Sequence, residues 1–263
     1  MEMEIVGYIA SLFIGLSLGI IGGGGSVLTV PILVYFFNIE PILATAYSLF
    51  IVGSTSAVGA LQKWIKKEIS FKVALTFGLP SLITVYVIRT FLIPAIPDII
   101  YQNNDMLIRK GPLALVLFAI LMIAASIGIL KPQEIKRPVL PQTQGLILLG
   151  IAVGILSGLL GAGGGFIIIP ALIFYASLDI KTAVGSSLVI IALNSLVGFT
   201  GDIVHHSMDW TKLLSITALG IAGTFIGNWL SGQLPATRIK KIFGWFILLT
   251  GVLILAMELF ALT

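Results

Sequence analysis

Apolar blocks follow one another along almost the whole chain, separated only by short polar loops. Of the 263 residues, 58% are hydrophobic and 10% are charged, whereas a soluble domain carries about 25% charged residues. A helix needs about 20 apolar residues to cross the ~30 Å hydrocarbon core of a bilayer. The sequence therefore predicts an all-α integral membrane protein whose function lies inside the bilayer.

Two of the apolar segments are only about half a membrane long at 1.5 Å per residue. These are 27–37 and 166–176, and each directly follows a run of glycines. The other segments are close to full spans. They cover residues 5–21, 42–61, 72–93, 111–130, 144–160, 182–203, 213–231 and 241–262.

The glycine runs belong to an internal repeat. Residues 15–33 read GLSLGIIGGGGSVLTVPIL, and 139 positions later residues 154–172 read GILSGLLGAGGGFIIIPAL. The match continues without a gap into the following segments. We therefore predict two homologous halves, residues 1–137 and 138–263, within one transmembrane domain. Each half has a glycine-broken helix followed by three transmembrane helices.

The orientation of the short segments decides the symmetry of the repeat. If they cross the membrane once, the halves are parallel; if they enter and return, the halves are inverted. In the returning arrangement Arg109, Lys110 and Lys212 lie on one side, and the other side collects most of the basic residues, as expected of a cytoplasmic face. The crossing arrangement almost removes this bias. We predict inverted repeats with both termini outside. The basic residues of the cytoplasmic side would be Lys63, Lys66, Lys67, Lys72, Lys131, Lys136, Arg137, Lys181, Arg238, Lys240 and Lys241.

The glycine runs predict an anion site. Each glycine destabilises a helix by about 1 kcal/mol relative to alanine, and helix packing alone does not need several in a row. A half-helix that begins after such a run presents unpaired N–H groups and about half a positive charge. Because an unpaired amide in hydrocarbon costs several kcal/mol, we expect both ends to converge on one buried anion near the midplane. The predicted anion-binding residues here are Gly24, Gly25, Ser26, Gly163, Gly164 and Gly165.

Polar side chains in the following segments are further candidates for this site. Ser48 and Thr55 in the first half are equivalent by the repeat to Ser187 and Asn194 in the second. Such groups donate hydrogen bonds to an oxyanion without adding fixed charge. The alternative is that each bonds to a helix carbonyl or to a neighbouring helix. Pro31 and Pro170 each remove an amide inside a short segment, which predicts a structural kink.

Arg89 is the only Lys or Arg well inside an apolar segment. An ionisable residue within the membrane is a functional hypothesis by default, so Arg89 is a secondary candidate for anion binding. Pro94 and Pro97 mark the nearby end of its segment. The alternative is therefore that its long side chain extends outward to the membrane surface.

Several classes of function find no support in the sequence. There is no cysteine, and His205 and His206 are too few for a metal site, so no metal or cofactor is expected. The basic residues cluster in loops, where they set topology, so nucleic-acid binding is not expected. No Asp or Glu lies in the middle of an apolar segment, which argues against a carboxylate proton relay. An enzyme is not expected, because a nucleophile needs a base, the only histidines are a pair in an outer loop, and the membrane core has no acid to serve in their place.

Three motifs together resemble the TauE/SafE sulfite exporter family over nearly the whole chain. They are the duplicated G-x-x-G-x-G-G with a proline six or seven residues beyond, the Ala-x-x-x-Ser-Leu at 44–49 with its partner at 183–188, and Met208-Asp209-Trp210. The resemblance implies an inner-membrane permease for sulfite, sulfonates, thiosulfate or related small anions and organic acids. The first half departs from the family pattern, with Tyr47 where the second half has Ser186. Residues 66–68 read KKE in place of a His-x-x-x-Gly-x-x-Asp-Trp type of ending.

These observations predict a secondary transporter for a small anion, with sulfite, thiosulfate or an organosulfonate as the expected cargo. Rocking of one half against the other would give alternating access. Two alternatives remain open: a passive anion channel lined by the same amides, and a permease for a non-sulfur organic acid. The expected partners are the anion and the lipid bilayer, and the expected location is the inner (plasma) membrane. The sequence does not predict the oligomeric state.

Overall fold

The helices of the computed structural model follow the predicted apolar segments to within a few residues. The structure describes residues 2–23, 25–103, 106–130, 142–161, 163–231, 233 and 236–262. The first half contains α1 (Glu2–Ile21), α2 (Ser26–Tyr35), α3 (Pro41–Ile65), α4 (Phe71–Val87), α5 (Ile93–Ala95) and α6 (Lys110–Leu130). The second half contains α7 (Gln142–Leu160), α8 (Gly165–Ala176), α9 (Ile180–Asp202), α10 (Trp210–Ser231) and α11 (Ala236–Leu262).

Among the described residues, seven helical stretches are long and apolar enough to cross a membrane. They are α1, α3, the continuous stretch from α4 to α5, α6, α7, α9 and α10. α3 and α9 are the most buried and form the centre, whereas the other spans expose large apolar side chains such as Ile9 and Phe13 on the outer surface. Such a surface is typical of a protein embedded in lipid. The prediction of a helical multi-pass membrane protein is confirmed.

The stretch between α4 and α6 contains two features that the sequence analysis did not predict. One turn of π-helix, Ile88–Leu92, joins α4 to α5. An antiparallel hairpin of β1 (Ile99–Asn103) and β2 (Met106–Arg109) then leads into α6. Lys110 closes the base of this hairpin, because its Nζ lies 3.2 Å from Asp98 Oδ1.

The short helix α2 runs back along α1 instead of continuing across the membrane. Gly25, just before α2, lies against the carbonyl oxygen of Ile14 in the middle of α1. Phe37, just after α2, lies against Gly7, and its ring centroid is 5.1 Å from that of Tyr8. The chain thus returns to the level at which α1 begins.

The second half repeats this return. Gly164 lies against Val153 of α7, and the ring of Tyr175 near the end of α8 lies against Gly145 near the start of α7. In both glycine-broken pairs the second helix therefore runs back along the first, as the returning arrangement requires. The inversion of the two halves stays a prediction, and this return supports it.

Contacts of one half recur in the other at the 139-residue offset. Gly22 contacts Val184 of α9, and its equivalent Gly161 contacts Thr45 of α3, the equivalent of Val184. α1 packs chiefly on α10, and α7 packs chiefly on α4. Each half thus places its first helix against the other half, so the two halves interlock.

Small residues make these helix contacts close. Gly15 of α1 lies directly against the carbonyl of Gly220 in α10. At the equivalent contact, a Cβ built on Gly154 of α7 would lie 2.7 Å from the carbonyl oxygen of Ser81 in α4. These are the close backbone approaches that glycines spaced four apart allow in membrane helices.

Candidate functional site

The glycine runs of the two halves meet in the interior. A Cβ built on Gly165 would lie 2.5 Å from the Cα of Gly23 and 2.7 Å from its carbonyl oxygen. Only residues without a side chain can approach this closely. Gly165 is the first residue of α8, and Gly23 precedes α2. The predicted convergence of the two runs is therefore present in the structure.

Backbone conformation explains why glycine occupies these runs. Gly22, Gly161, Gly163 and Gly164 have φ angles of 79°, 67°, 63° and 69°. In this left-handed region an L side chain costs about 1–2 kcal/mol, whereas glycine enters it freely. These glycines therefore allow the backbone to turn sharply between α1 and α2 and between α7 and α8.

The second glycine run lies level with the middle of the central helices α3 and α9. A Cβ built on Gly163 would lie 3.1 Å from Val52 Cγ1, 3.0 Å from Ile191 Cγ2 and 3.0 Å from Ser195 Oγ. Val52 and Ile191 each stand eleven residues beyond the first residue of α3 and α9. This corresponds to about 17 Å along either helix, which is about half of the hydrocarbon thickness.

The starts of α2 and α8 lack the side-chain cap that α9 has. At α9, Asp179 Oδ2 accepts the N–H groups of Lys181 and Thr182 at 3.1 and 3.2 Å. The side-chain hydrogen bond from Thr182, with these backbone bonds, holds the pKa of Asp179 below its usual range. Gly25 and Gly164, the residues before α2 and α8, offer no side-chain hydrogen bond. The first N–H groups of both helices therefore depend on other acceptors.

Buried hydroxyl groups without partners surround this region. Ser195 Oγ faces Gly163, and Ser157 Cβ lies 3.7 Å from a Cβ built on Gly164. Neither hydroxyl has a hydrogen-bond partner within the described part of the chain. A buried unsatisfied group costs about 1–3 kcal/mol, so these hydroxyls can bind a ligand that brings acceptors. The hydroxyls of Ser48 and Ser56 are in the same condition.

Thr55 and Asn194 occupy equivalent positions but have different partners. Thr55 Oγ1 donates to the carbonyl oxygen of Ile51 in its own helix at 2.6 Å. Asn194 Nδ2 donates to Ser81 Oγ at 2.6 Å, and its Oδ1 has no partner among the described residues. Thr55 thus follows the helix-carbonyl alternative, whereas Asn194 links α9 to α4 and keeps a second amide hydrogen.

Ser26 and Ser187 bond to the first glycine run itself. Ser26 Oγ lies 3.0 Å from the carbonyl oxygen of Gly23. Ser187 Oγ lies 2.8 Å from the carbonyl oxygen of Val184 and 3.2 Å from that of Gly22. Both hydroxyls therefore hold the run in shape.

The remaining predicted residues divide into described and undescribed positions. Gly24 lies outside the described residues. Gly25 is buried and directly precedes α2. Pro31 and Pro170 lie at equivalent places inside α2 and α8, and the kinks they would cause stay a prediction.

Arg89 lies in the π-helical turn and is only 1% exposed. Its Nη1 lies 2.9 Å from Asp202 Oδ2, and Asp202 is also buried. The same Nη1 donates to Thr45 Oγ1 at 3.0 Å. The alternative that the side chain extends to the membrane surface is wrong, because a buried carboxylate at the end of α9 neutralises it.

Sequence reasoning did not predict this ion pair. The sequence shows that no Asp or Glu lies in the middle of an apolar segment, but it does not show that Asp202, at the end of one, is buried. A usable signal was present, because a cation within the membrane needs a buried anionic partner. Under the predicted topology, Asp202 ends its helix on the side of the membrane where Arg89 lies.

The other side of the membrane carries a different polar cluster. Asn228, the repeat equivalent of Arg89, hydrogen-bonds through Nδ2 to Gln62 Oε1. Lys63, the equivalent of Asp202, pairs with Glu68 at 2.8 Å. This pair is less buried than Arg89–Asp202, with side chains 10% and 21% exposed against 1% and 3%. Elsewhere in the described residues, no group of three or more His, Asp and Glu could hold a metal ion.

Comparison with known proteins agrees with this architecture. A family model described as "Sulfite exporter TauE/SafE" matches residues 8–254. A probable membrane transporter protein of Xylella fastidiosa is 28% identical over 251 residues, covering 92% of this chain and 91% of the relative. One from Methanocaldococcus jannaschii is 29% identical over 225 residues, covering 83% and 76%. One from Bacillus subtilis is 26% identical over 231 residues, covering 87% and 90%. No solved structure matches this chain.

Proposed function

This chain belongs to the TauE/SafE sulfite exporter family, and from that premise we propose that it is a secondary transporter for a small sulfur oxyanion in the inner membrane. That it is a multi-pass membrane transporter follows from the family and from its spans. The proposal adds the cargo, the place where it binds and the way it moves.

One observation carries the proposal: two uncapped helix starts meet inside the protein through glycines. Backbone N–H groups and helix dipoles at such ends attract an anion. Because neither α2 nor α8 brings a side-chain cap, a bound oxyanion would satisfy the N–H groups at both starts.

Uncharged hydrogen-bond donors suit a transport site, because the bound anion must also be released. Ser195 and Ser157 would add hydroxyl donors beside Gly163 and Gly164. Hydrogen bonds from such groups to a charged ligand contribute about 1.5–3 kcal/mol each, which replaces part of the hydration shell. Transport requires binding that is favourable enough to admit the ion and weak enough to release it.

The interlocked packing suggests which elements move together. α1 packs on α10, and α7 packs on α4, so a rigid rocking of residues 1–137 against 138–263 would break both contacts. We infer that the re-entrant pair α1–α2 moves with α10, and α7–α8 moves with α4, around the central α3 and α9. The site between the glycine runs would then open to each side in turn.

A thermal-shift titration of purified protein in detergent tests the site. Sulfite is the main probe, with thiosulfate, sulfate, sulfoacetate, acetate and chloride for comparison. A ligand stabilises the folded state by about 1.4 kcal/mol for each tenfold rise in concentration above Kd. We expect sulfite to raise the melting temperature of the unmodified protein.

Two alanine substitutions supply the comparison. In Gly163→Ala the methyl group would lie 3.0 Å from Ser195 Oγ, so this variant should lose most of the sulfite-dependent rise. In Gly128→Ala the methyl group meets nothing within 4 Å, so the full rise should remain. The melting temperature of Gly163→Ala without sulfite measures how far the backbone strain at this position destabilises the fold, apart from any effect on binding. Equal rises in both variants, or no rise with any anion in folded unmodified protein, would contradict the proposal.

A further inference from the structure

Among the described residues, only one nitrogen of the buried Arg89 guanidinium is paired. Nη1 contacts both Asp202 and Thr45. Nε and Nη2 are buried and have no hydrogen-bond partner in the described ranges. The hydroxyl of the adjacent Thr90 is likewise buried and unpartnered there. An unsatisfied buried donor is costly, and more so when it is charged, so this side of Arg89 is suited to an added acceptor.

The two free nitrogens lie on the same edge of the planar guanidinium. Nε–H and one N–H of Nη2 point in parallel, which matches two oxygens of a carboxylate or another oxyanion. Asp202 is bound from the opposite side, through Nη1 alone. Arg89 therefore keeps a complete bidentate edge even though its charge is neutralised.

Arg89 lies close to the second glycine run through the contact that its Nη1 makes with Thr45. A Cβ built on Gly161, the first glycine of that run, would lie 2.6 Å from Thr45 Cβ, and Thr45 is hydrogen-bonded to Arg89. Thr45 stands four residues beyond the start of α3, whereas Val52 beside Gly163 stands eleven. Arg89 thus lies between the midplane and the side of the membrane where α3 begins.

We propose that Arg89 is a second anion-binding residue, whose Nε–Nη2 edge takes two oxygens of the transported anion between the glycine site and the outer surface. This inference rests on the proposed function. Asp202 keeps the guanidinium charged and oriented when no anion is bound, and it competes electrostatically with the anion for Arg89. The repeat equivalent of Arg89 is the uncharged Asn228, so the repeat supplies no second arginine at this position.

Sulfite binding to three variants tests the role of Arg89. Arg89→Lys keeps the charge and a donor for Asp202 but loses the bidentate edge. Asp202→Asn removes the competing charge. Arg109→Lys is the matched control, because it makes the same replacement outside the spans. For each protein, Kd for sulfite and for chloride is measured by thermal shift, and saturable sulfite counterflow is measured in proteoliposomes.

The two charge-pair variants should change sulfite binding in opposite directions. Arg89→Lys should raise the Kd for sulfite about tenfold or more and leave the Kd for chloride nearly unchanged, because a spherical ion gains little from a bidentate edge. Asp202→Asn should lower the Kd for sulfite. Arg109→Lys should match the unmodified protein. If Asp202→Asn does not fold, the Kd for sulfite of Arg89→Lys, compared with that of Arg109→Lys, decides whether Arg89 binds the anion.

A purely structural ion pair predicts another outcome. Both charge-pair variants would then lower the melting temperature without sulfite and leave the Kd for sulfite unchanged, which would overturn the inference. If the unmodified protein binds no anion at all, the proposed function fails and this inference fails with it. If Gly163→Ala loses sulfite binding while Arg89→Lys keeps it, only the role of Arg89 is refuted.

Discussion

Ser195 and Thr55 carry hydroxyl groups on the equivalent central helices but use them differently. Thr55 donates to a carbonyl of its own helix, so that hydroxyl is already satisfied. Ser195 faces Gly163 and has no partner in the part of the chain that the structure describes. The chemistry of a hydroxyl alone therefore does not decide whether it can bind a ligand; its partner does.

Ser195→Ala should weaken sulfite binding more than Thr55→Val. A hydrogen bond to a charged group contributes about 1.5–3 kcal/mol, so the Kd for sulfite should rise about tenfold or more in Ser195→Ala. Thr55→Val removes a bond within a helix and should change this Kd little. Sulfite titrations followed by thermal shift measure both values. Equal effects in the two variants would show that the hydroxyl of Ser195 does not contact the anion.

The sequence singled out the glycine runs, whose binding role stays a prediction, but it did not give the partner of each side chain. The glycines were identifiable because no other residue tolerates both the left-handed backbone of Gly163 and the close approach of Gly165 to Gly23. Ser195 could not be separated from Thr55, because the rotamer and partner of a hydroxyl depend on helices that are distant in sequence.

At the scale of helices, hydropathy predicted nearly all of the fold, because a bilayer requires long apolar segments with internal hydrogen bonds. The π-helical turn Ile88–Leu92 was not predicted, since one wider turn does not change an apolar pattern. The hairpin of β1 and β2 was not predicted, because strands of five and four residues are too short to give a periodic signal. The turn carries Arg89, so the missed element bears on the proposed second anion-binding residue.

The return of α2 and α8 predicts a specific accessibility pattern. The chain has no cysteine, so single cysteines can be introduced without background. In the returning arrangement, Lys66→Cys and Lys181→Cys should react with a membrane-impermeant maleimide only from the cytoplasmic side. Glu40→Cys and Ser207→Cys should react only from the outside. All four positions are exposed in the structure.

The crossing arrangement predicts different pairs. Position 40 would then share a side with 181, and position 66 would share a side with 207. Labelling of intact cells before and after permeabilisation distinguishes the two patterns. Observation of the crossed pairs would refute both the re-entrant helices and the inverted repeat.

At the scale of the whole molecule, the two halves form one body because each packs its first helix on the other. The repeat in the sequence predicts two halves, and that division stays a prediction. The repeat does not show that α1 packs on α10 and α7 on α4. Sequence similarity identifies equivalent helices, whereas packing partners depend on how two equivalent surfaces fit together. The interlocked arrangement places both glycine runs in a shared interior, where Gly23 and Gly165 are in contact.

A transporter with a single internal site differs from a pore in its flux. Because the bound anion must be carried through a conformational change, uptake should saturate and should accelerate when unlabelled anion is present on the opposite side. A passive channel lined by the same amides would give conductive flux without such acceleration. The difference is a property of the entire molecule and cannot be assigned to one residue.

Counterflow of radiolabelled sulfite in proteoliposomes is the most direct test of transport through the paired glycine runs. We expect saturable uptake that is accelerated by internal unlabelled sulfite, retained in Gly128→Ala and lost or strongly reduced in Gly163→Ala. Undiminished counterflow in correctly folded Gly163→Ala, or sulfite flux without saturation or acceleration, would contradict the claim that the anion is carried between the two glycine runs.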